Sequence, residues 1–184
     1  SGGDGTLNET ITGLMRGGHS VPLGYIPAGS TNDFASSLGL SSDILRAARD
    51  IMEGCPQPLD IGRFRNRYFS YTASFGAFTS TSYSTPQNVK NVLGHAAYLL
   101  EGLKDLPNIR PRTVRLEADG QVYDGDYLFG AVCNSTSLGG VLKLSPGMVD
   151  MNDGLFETLL IRNPENAIEL QNIITALASR NYDN

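Results

Sequence analysis

The sequence is poor in features that would each point to a particular class of protein. Its two cysteines, Cys55 and Cys133, lie far apart and outside any metal-ligand spacing, which predicts two reduced thiols in a cytoplasmic protein. It has 14 basic against 19 acidic residues, and the net charge of −5 argues against a nucleic-acid partner. No run approaches the ~18 consecutive apolar residues of a membrane span, and no signal-peptide pattern is present. We therefore expect a soluble protein that meets a membrane only at its surface.

Glycine, in contrast, is abundant, with 21 of the 184 residues. The densest run opens the chain as "SGGDGTLNE", residues 1–9. A glycine-rich loop that leads into a helix can bind phosphate, because its bare backbone N–H groups can point at the anion. The carboxylate of Asp4 would repel a bare phosphate, so its place among these glycines needs an explanation.

The first third of the chain has the pattern of an α/β domain. Loop, helix, strand and helix alternate there, and residues 21–27 are predicted to form a short apolar strand. The clearest helix follows Ser41 or Ser42 as its N-cap. Its apolar face consists of Ile44, Leu45, Ala48, Ile51 and Met52.

The pattern changes near residue 59, where alternating apolar and polar residues predict antiparallel strands. A hairpin is expected to turn at Asp119-Gly120, and a helix is predicted over residues 89–107. The fold class is therefore α/β plus mainly β. We predict a partial Rossmann-like nucleotide-binding domain over residues 1–58 and an antiparallel β-sandwich domain with helices over residues 59–184.

Four segments occur in a specific order along the chain: "GGDGTLNE" at 2–9, "PAGSTNDFA" at 27–35, "DIG" at 60–62 and the run from Pro146 to "NDG" at 152–154. Together they resemble the bacterial lipid kinases of the diacylglycerol kinase catalytic type, a family that includes sphingosine kinases. The resemblance covers nearly the whole chain. Ser30 stands where the family usually has threonine, but serine keeps the hydroxyl that can bond phosphate.

The resemblance implies a nucleotide site in the opening loop. Its residues would be Gly3, Asp4, Gly5, Thr6, Leu7, Asn8, Glu9 and Ser30. Asp4 would support catalysis by meeting Mg²⁺ or its water, because a divalent ion makes a carboxylate favourable beside phosphate. Asn8 and Glu9 would start the following helix. Asn32 and Asp33 would brace the site, and Asp60 would either face it or cap a turn.

The resemblance also implies a magnesium site in "MVDMNDGLF", residues 148–156. Its ligands would be the Asp153 carboxylate and the backbone carbonyls of Asp150 and Leu155. Such hard oxygen ligands suit Mg²⁺. A turn with two acidic residues and a glycine also forms without metal, so the structural alternative stays open.

The implied activity is ATP-dependent phosphorylation of a lipid hydroxyl, of diacylglycerol or a related lipid, with ATP and Mg²⁺ as cofactors. The protein would be cytoplasmic and peripherally membrane-associated, with its lipid substrate at the membrane surface. A homodimer is left open. The family's general base belongs to a later Asp-Gly-Glu motif that this sequence does not contain. We therefore expect an internal fragment that is itself inactive.

Two other functions stay open from the sequence. An NAD kinase also has a GGDGT loop, although "GSTNDFA" belongs to the lipid-kinase pattern. A non-catalytic lipid- or nucleotide-binding regulator would fit as well. Separately, Arg63, Arg65 and Arg67 are predicted to share one face of a strand after residue 59. They would either contact lipid headgroups or keep an edge strand from pairing with other chains.

Overall fold

The computed structural model describes residues 1–77, 79, 110–138, 142–144, 146–179 and 181. Its elements are helices and antiparallel sheets, as predicted. The chain forms two compact units, one of Ser1–Ala73 with Cys133–Glu157 and one of Ser74–Val132 with Thr158–Asn184. The domain boundary predicted after residue 58 stays a prediction, and the helix predicted over 89–107 lies outside the described residues. No helix among the described residues is long and apolar enough to cross a bilayer.

The first unit contains three helices: α1 (Asp4–Gly17), α2 (Asp33–Ser37) and α3 (Ile44–Glu53). Helix α1 begins at Asp4, a full turn before the predicted start at Asn8 and Glu9, because the extended Gly3 serves as its N-cap. It ends at Gly18, whose left-handed conformation (φ 65°) terminates the helix. The early start matters, because it makes the glycine loop itself the first turn of α1.

Helix α3 has an N-cap other than the predicted serines, and its apolar face is exposed. Its N-cap is Asp43, whose side chain accepts a hydrogen bond from the Arg46 N–H at 2.7 Å, and is neither Ser41 nor Ser42. Its apolar face is mostly exposed, with Leu45 at 77 % and Met52 at 84 % exposure. The amphipathic pattern correctly predicted a helix, but periodicity alone does not show whether a partner surface covers the apolar side.

Strands β1 (Gly62–Phe64) and β2 (Arg67–Phe69) form a separate antiparallel hairpin in the first unit. The chain turns at Arg65 and Asn66, and Arg65 has a positive φ of 56°. Directly paired residues of antiparallel strands share a face, and Phe64 pairs with Arg67 while Arg63 pairs with Tyr68. The prediction that the three arginines share one face of a strand is therefore wrong, because the turn falls among them.

The first unit has a small apolar core that joins its helices to a distant loop. Leu7 of α1, Phe34 of α2 and Met151 form this buried cluster. Partly buried side chains pack around it, namely Ile11, Tyr25, Leu38, Leu59, Tyr71 and Val149. Since Met151 lies beside the predicted metal ligands and Leu7 lies in the predicted nucleotide loop, both segments are anchored on the same core.

Two short strands, β6 (Ser137–Leu138) and β7 (Leu142–Lys143), form another pair in the first unit. A 3₁₀ turn, Pro146–Met148, follows them. Residues 21–27, which were predicted to form a strand, are irregular except for a single bridge at Pro27.

The second unit is built mainly on a four-stranded sheet. The strands are β3 (Thr72–Gly76), β4 (Arg112–Ala118), β5 (Gln121–Cys133) and β8 (Glu157–Arg162), and the first three lie in the order β3-β5-β4 with β8 on β5. Strands β4 and β5 turn at Asp119 and Gly120, both with positive φ, so the predicted hairpin is confirmed. Helix α4 (Ala167–Ser179) is the last helix that the structure describes.

Candidate functional site

Two glycine-containing turns, residues 2–6 and 27–33, lie side by side in the first unit, and we call them the glycine turns. A parallel bridge joins Gly2 to Pro27, with the Gly2 N–H donating to the Ile26 carbonyl at 3.2 Å and the Ala28 N–H to the Gly2 carbonyl at 2.8 Å. Each segment then leads into a helix, α1 or α2. Loops that follow adjacent parallel strands share one edge of the sheet, where α/β folds bind their ligands.

The two turns approach so closely that glycine is required on both sides. A Cβ atom at Gly29 would lie 2.5 Å from the Cα of Gly3 and 2.8 Å from the Asn32 Oδ1. A Cβ at Gly3 would lie 3.0 Å from the Cα of Gly29. These two glycines therefore serve the contact between the turns, in addition to any contact with a ligand.

Helix α1 begins without a side-chain cap. Gly3 is its N-cap, and no side-chain capping hydrogen bond is present among the described residues. Gly5 and Thr6 in that turn are exposed. The first N–H groups of a helix have no partner within the helix, and they attract anions. The start of α1 therefore has the geometry of a phosphate-binding site.

The carboxylate of Asp4 bonds to the neighbouring turn. Its Oδ2 accepts a hydrogen bond from the Asp33 N–H at 3.0 Å and its Oδ1 accepts one from the Phe34 N–H at 3.1 Å. Asp4 thus caps the start of α2 from a distance of 29 residues in the sequence. This explains a carboxylate among the glycines, because it holds the two turns together. A role of Asp4 toward a metal stays a prediction.

The loop before α2 is closed by Asn32. Its Oδ1 accepts a hydrogen bond from the Gly29 N–H at 2.8 Å and its Nδ2 donates to the Gly29 carbonyl at 2.9 Å. Asn32 adopts a left-handed conformation with φ 53°, which asparagine tolerates better than most residues. Ser30 lies inside this closed loop and is exposed. The bracing role that the resemblance implied for Asn32 agrees with these contacts.

The remaining residues of the predicted nucleotide site differ in what they contact. Leu7 is buried in the core at 5 % exposure, so only its backbone could face a ligand. Asn8 accepts a hydrogen bond from the Ser70 N–H at 3.2 Å, which ties α1 to the segment after β2. Glu9 is exposed. The first turn of α1 is therefore the part of the run that is open to a phosphate.

A cluster of buried hydroxyl groups lies behind α2, and the sequence did not predict it. The Ser137 Oγ donates a hydrogen bond to the Asp33 Oδ1 at 2.6 Å. The hydroxyls of Ser37 and Ser135 lie 2.8 Å apart, and Thr136 bonds to Ser37 at 3.2 Å. The sequence feature that could have indicated this cluster is the polar run "NSTS" at 134–137, directly after the apolar strand β5. Polar residues in such a position need partners once buried.

We call residues 150–155 the acidic loop. Asp150 and Asp153 are both exposed, and each bonds within its own turn, to the N–H of Asn152 at 3.1 Å and of Leu155 at 2.9 Å respectively. Leu155 is 63 % exposed. Each aspartate uses one carboxylate oxygen for its turn, so the second oxygen of Asp153 is available to a ligand.

Distant residues hold the acidic loop in place. The Asp60 Oδ2 accepts a hydrogen bond from the Gly154 N–H at 2.7 Å, so Asp60 caps a turn, one of its two predicted roles. The Asp60 N–H donates to the Met151 carbonyl at 2.9 Å. The fully buried Asn134 donates from its Nδ2 to the carbonyls of both Asp60 and Met151, at 2.9 and 3.2 Å. The sequence did not identify Asn134.

Burial and negative charge act together beneath the acidic loop. Burial raises the pKa of Glu157, and the nearby carboxylates of Asp153 and Asp150 raise it further. The Glu157 Oε2 atom is buried and finds no hydrogen-bond partner among the residues that the structure describes. Burial, and then the charge of Glu157, raise the pKa of the Cys133 thiol to about 12. A cation at the acidic loop would relieve this concentration of negative charge.

The residues present fit a magnesium ion bound mainly through backbone oxygens. Among the described residues, no three acidic, histidine or cysteine side chains form a metal-binding group. The predicted site needs only one, the Asp153 carboxylate, together with carbonyls of Asp150 and Leu155. A hard oxygen donor set of this kind is what Mg²⁺ prefers, and the unpartnered Glu157 oxygen is consistent with a missing positive charge.

Hydrogen bonds connect the two loops through the interior of the first unit. The chain of contacts runs from Asp4 to Asp33, from Asp33 to Ser137, and from the Ser137 N–H to the Ser135 hydroxyl at 3.1 Å. Asn134, the next residue, bonds to the Met151 carbonyl of the acidic loop. All the predicted site residues therefore belong to one compact unit, with defined contacts between their segments.

Burial also affects a tyrosine beside Asp4. The pKa of Tyr25 is raised by burial and by the charge of Asp4. Its hydroxyl is buried and, within the described part of the chain, has no hydrogen-bond partner. Tyr25 thus contributes a polar atom close to the glycine turns that the sequence did not identify.

Comparison with known proteins places this geometry in a family. Residues 1–64 match the diacylglycerol kinase catalytic domain, and residues 74–179 match the YegS C-terminal NAD kinase beta sandwich-like domain. A diacylglycerol kinase of Bacillus subtilis (strain 168) is 40% identical over 163 residues, 88% of this chain and 54% of the relative. One of Staphylococcus aureus (strain JH9) is 40% identical over 180 residues, 98% of this chain and 56% of the relative.

A solved structure supports the fold. A diacylglycerol kinase from Bacillus anthracis str. Sterne superposes with a TM-score of 0.71 at 24% identity, covering 99% of this chain and 58% of that one. The chain spans about half the length of the curated relatives it matches. Its fold is that of an α/β nucleotide-binding domain followed by a β-sandwich. Because the YegS-type match covers more than half of the chain, the chain belongs to the family defined by the YegS C-terminal NAD kinase beta sandwich-like domain, here with a diacylglycerol kinase catalytic domain match over residues 1–64.

Proposed function

We propose that the protein containing this chain is a lipid kinase, which transfers the terminal phosphoryl group of ATP to a lipid hydroxyl in the presence of Mg²⁺. Diacylglycerol is the proposed acceptor, as the names of the relatives suggest. The observation that carries the proposal is the parallel bridge between Gly2 and Pro27. It sets the uncapped start of α1 beside a second turn that contains Ser30.

In this proposal the first turn of α1 binds nucleotide phosphates. The backbone N–H groups of Asp4, Gly5 and Thr6 supply partial positive charge, and the hydroxyls of Thr6 and Ser30 supply further hydrogen bonds. Phosphoryl transfer depends mainly on positioning and on charge neutralisation. The close packing of Gly3 on Gly29 supports this role, because it fixes both turns before a nucleotide arrives.

Asp4 has a positioning role as well as its proposed role near the metal. Both of its oxygens hold α2, and a carboxylate oxygen that accepts one hydrogen bond has a further lone pair for a metal-bound water. Asp33 is held from the other side by Ser137. We propose that this arrangement keeps the carboxylate of Asp4 in one orientation relative to the first turn of α1.

Mg²⁺ is proposed in the acidic loop, bound by Asp153 and by the carbonyls of Asp150 and Leu155. The ion would supply positive charge where the local carboxylates already raise the pKa of Glu157. The buried bonds from Asn134 and Asp60 fix the loop without using the Asp153 carboxylate. Cytoplasmic location, association with the membrane surface and a homodimeric state are part of the same proposal.

The deciding experiment offers full-length protein, Mg²⁺ and labelled ATP to mixed micelles of diacylglycerol, ceramide, a sphingoid base or phosphatidylglycerol, with NAD in a parallel reaction. Label in a lipid supports the kinase and identifies its acceptor. Label in NAD alone favours an NAD kinase and contradicts the proposal. Nucleotide binding without transfer to any acceptor favours a non-catalytic regulator.

A pair of glycine variants tests the nucleotide site. A Cβ at Gly5 or at Gly13, both in α1, meets no atom within 4 Å. Each Gly→Ala change should raise helix stability by about 0.5–1 kcal/mol. We expect only Gly5→Ala to weaken ATP binding, by about tenfold, because only its methyl group lies in the phosphate-binding turn. Equal ATP affinities of the two variants in calorimetry would place the nucleotide elsewhere.

A further inference from the structure

The hairpin of β1 and β2 presents an exposed basic surface that the proposed nucleotide and metal sites do not use. We call residues 63–67, "RFRNR", the hairpin tip. All five residues of the tip are exposed. The segment 61–70 contains three arginines and no acidic residue, in a chain whose net charge is −5. The tip is therefore a local reversal of the charge of the protein.

The arginines of the tip are not neutralised by neighbours. Within the part of the chain that the structure describes, none of Arg63, Arg65 and Arg67 forms an ion pair with a carboxylate. The Arg63 Nε donates to the Arg65 carbonyl at 2.9 Å, a bond that leaves its charge in place. Three unpaired guanidinium groups on five residues attract an anionic surface.

A large aromatic side chain lies between these charges. Phe64 is 61 % exposed, although moving a phenylalanine ring out of water lowers the free energy. The Arg65 guanidinium carbon lies 5.9 Å from the ring centroid, and Arg67 is paired with Phe64 on the same face of the hairpin. An apolar ring surrounded by cationic groups matches the boundary between acyl chains and anionic headgroups.

The hairpin is fixed to the helix that starts at the glycine turns. Strand β2 packs along α1, and the Arg16 Nη2 donates to the Asn66 carbonyl at 2.7 Å. At the base of the hairpin, Ser70 is bonded to Asn8 of the same helix. Arg16 thus adds a fourth basic residue at the turn, and the tip is held rigidly rather than presented on a free loop.

We propose that the hairpin tip is a membrane-docking surface, which binds the headgroups of an anionic bilayer through its arginines and inserts the Phe64 ring among the acyl chains. The inference rests on the proposed function for its purpose, since a lipid kinase must meet its acceptor at a membrane. Charge complementarity favours an anionic bilayer, because the tip concentrates three arginines without an acidic residue in a chain whose net charge is −5.

The test is flotation of the full-length protein with phosphatidylcholine vesicles, with or without phosphatidylglycerol, at low and high salt. We expect binding only with phosphatidylglycerol and weakening with salt. Arg67→Gln should lower the partition coefficient about fivefold, and Arg67→Lys should restore most of it. Phe64→Ala should lower it about three- to tenfold. Among the described residues, the Arg67 side chain forms no hydrogen bond or ion pair, so its replacement tests charge with little risk to the fold.

The second unit offers matched controls on the β4–β5 hairpin. Arg115 is exposed but is paired with Glu117 at 2.7 Å, and Val122 is 56 % exposed. Arg115→Gln and Val122→Ala should leave vesicle binding unchanged. Equal losses in tip and control variants, or equal binding to pure phosphatidylcholine, would overturn the proposal.

A parallel assay separates this proposal from the proposed function. Phosphoryl transfer to a short-chain, water-soluble diacylglycerol does not need a bilayer. Vesicle binding that depends on Arg67 and Phe64, without transfer to the soluble lipid, would support the docking surface and contradict the kinase. Transfer to the soluble lipid, together with vesicle binding that neither substitution changes, would support the kinase and contradict the docking surface.

Discussion

The glycine turns and the acidic loop both contain two aspartates, but they use them in opposite ways. Asp33 is buried and Asp4 half-buried, and their polar atoms bond residues from other segments. Asp150 and Asp153 are exposed, and among the described residues each accepts a hydrogen bond only from its own turn. Aspartates in the glycine turns therefore hold two segments together, whereas those of the acidic loop leave oxygen atoms available to a ligand.

This difference shows that an acidic residue is not a ligand simply because it occurs in a motif. The partners of its oxygen atoms decide what it can do. In the glycine turns the positive potential for phosphate comes from the helix start, and Asp4 orients that start against α2. In the acidic loop the supporting bonds come from Asp60 and Asn134. The exposed carboxylates are therefore not needed to anchor the loop to other segments.

The largest expected effect follows from removing Asp4. Asp4→Ala leaves the N–H groups of Asp33 and Phe34 without their carboxylate partner in a partly buried place. We expect a loss of about 2–4 kcal/mol in the free energy of unfolding, because hydrogen bonds to charged groups are lost and the donors stay unpaired. Urea denaturation followed by circular dichroism measures this loss.

Asp153→Ala is the matched control for that experiment. Its carboxylate bonds only the Leu155 N–H of its own exposed turn. Without Mg²⁺ the substitution should change the free energy of unfolding by less than about 0.5 kcal/mol. Equal losses in the two variants would show that the contrast between the loops has no energetic basis.

The second effect concerns Mg²⁺. If the acidic loop binds the ion, Mg²⁺ at tenfold above its dissociation constant should stabilise the protein by about 1.4 kcal/mol. Asp153→Asn should abolish this gain, and Asp4→Asn should retain it when no nucleotide is present. Thermal unfolding with and without Mg²⁺ gives the answer. A gain that depends on Asp4 and not on Asp153 would place the ion at the glycine turns.

The smallest effect is a pH dependence beneath the acidic loop. The pKa of Glu157 is raised above its ordinary value of 4.5, so the folded protein binds this proton more tightly than the unfolded chain does. Stability is then unaffected below about 4.5 and falls as the pH rises through the folded pKa. Glu157→Gln cannot ionise and should not show this fall.

We therefore expect the variant to match the natural protein at low pH and to exceed it in stability at neutral pH. Denaturation of both proteins across the pH range measures the difference. Added Mg²⁺ should narrow it, because positive charge at the acidic loop favours the ionised Glu157. A difference that is the same at every pH would mean that packing, and not charge, distinguishes the two.

Local sequence predicted those features that depend on neighbouring residues. The turn at Asp119-Gly120 was predicted because consecutive left-handed residues select asparagine, aspartate or glycine. The helix α3 was predicted from its period, but not the exposure of Leu45 and Met52, because exposure depends on which surfaces meet. The early start of α1 was missed because the extended Gly3 takes the N-cap position without a capping side chain.

The motifs identified the segments of the candidate site but not the contacts within it. The capping of α2 by Asp4 spans 29 residues, and the bond from Ser137 to Asp33 spans 104. No periodicity or local pattern contains such distances. Asn134 was not predicted for the same reason, since its role depends on two carbonyl groups that only the folded chain brings to it.

The bonds of Asn134 also have a consequence for the order in which parts of the molecule fold. The link between Asp4 and α2 joins residues 29 and 30 positions apart, so its parts are synthesised close together in time. The acidic loop needs Asp60, Asn134 and Met151 together, across separations of 74 and 17 positions. Because contacts between distant residues form slowly, the capping of α2 by Asp4 can form before the bonds that hold the acidic loop, whereas the core that both segments share closes only when Met151 joins it.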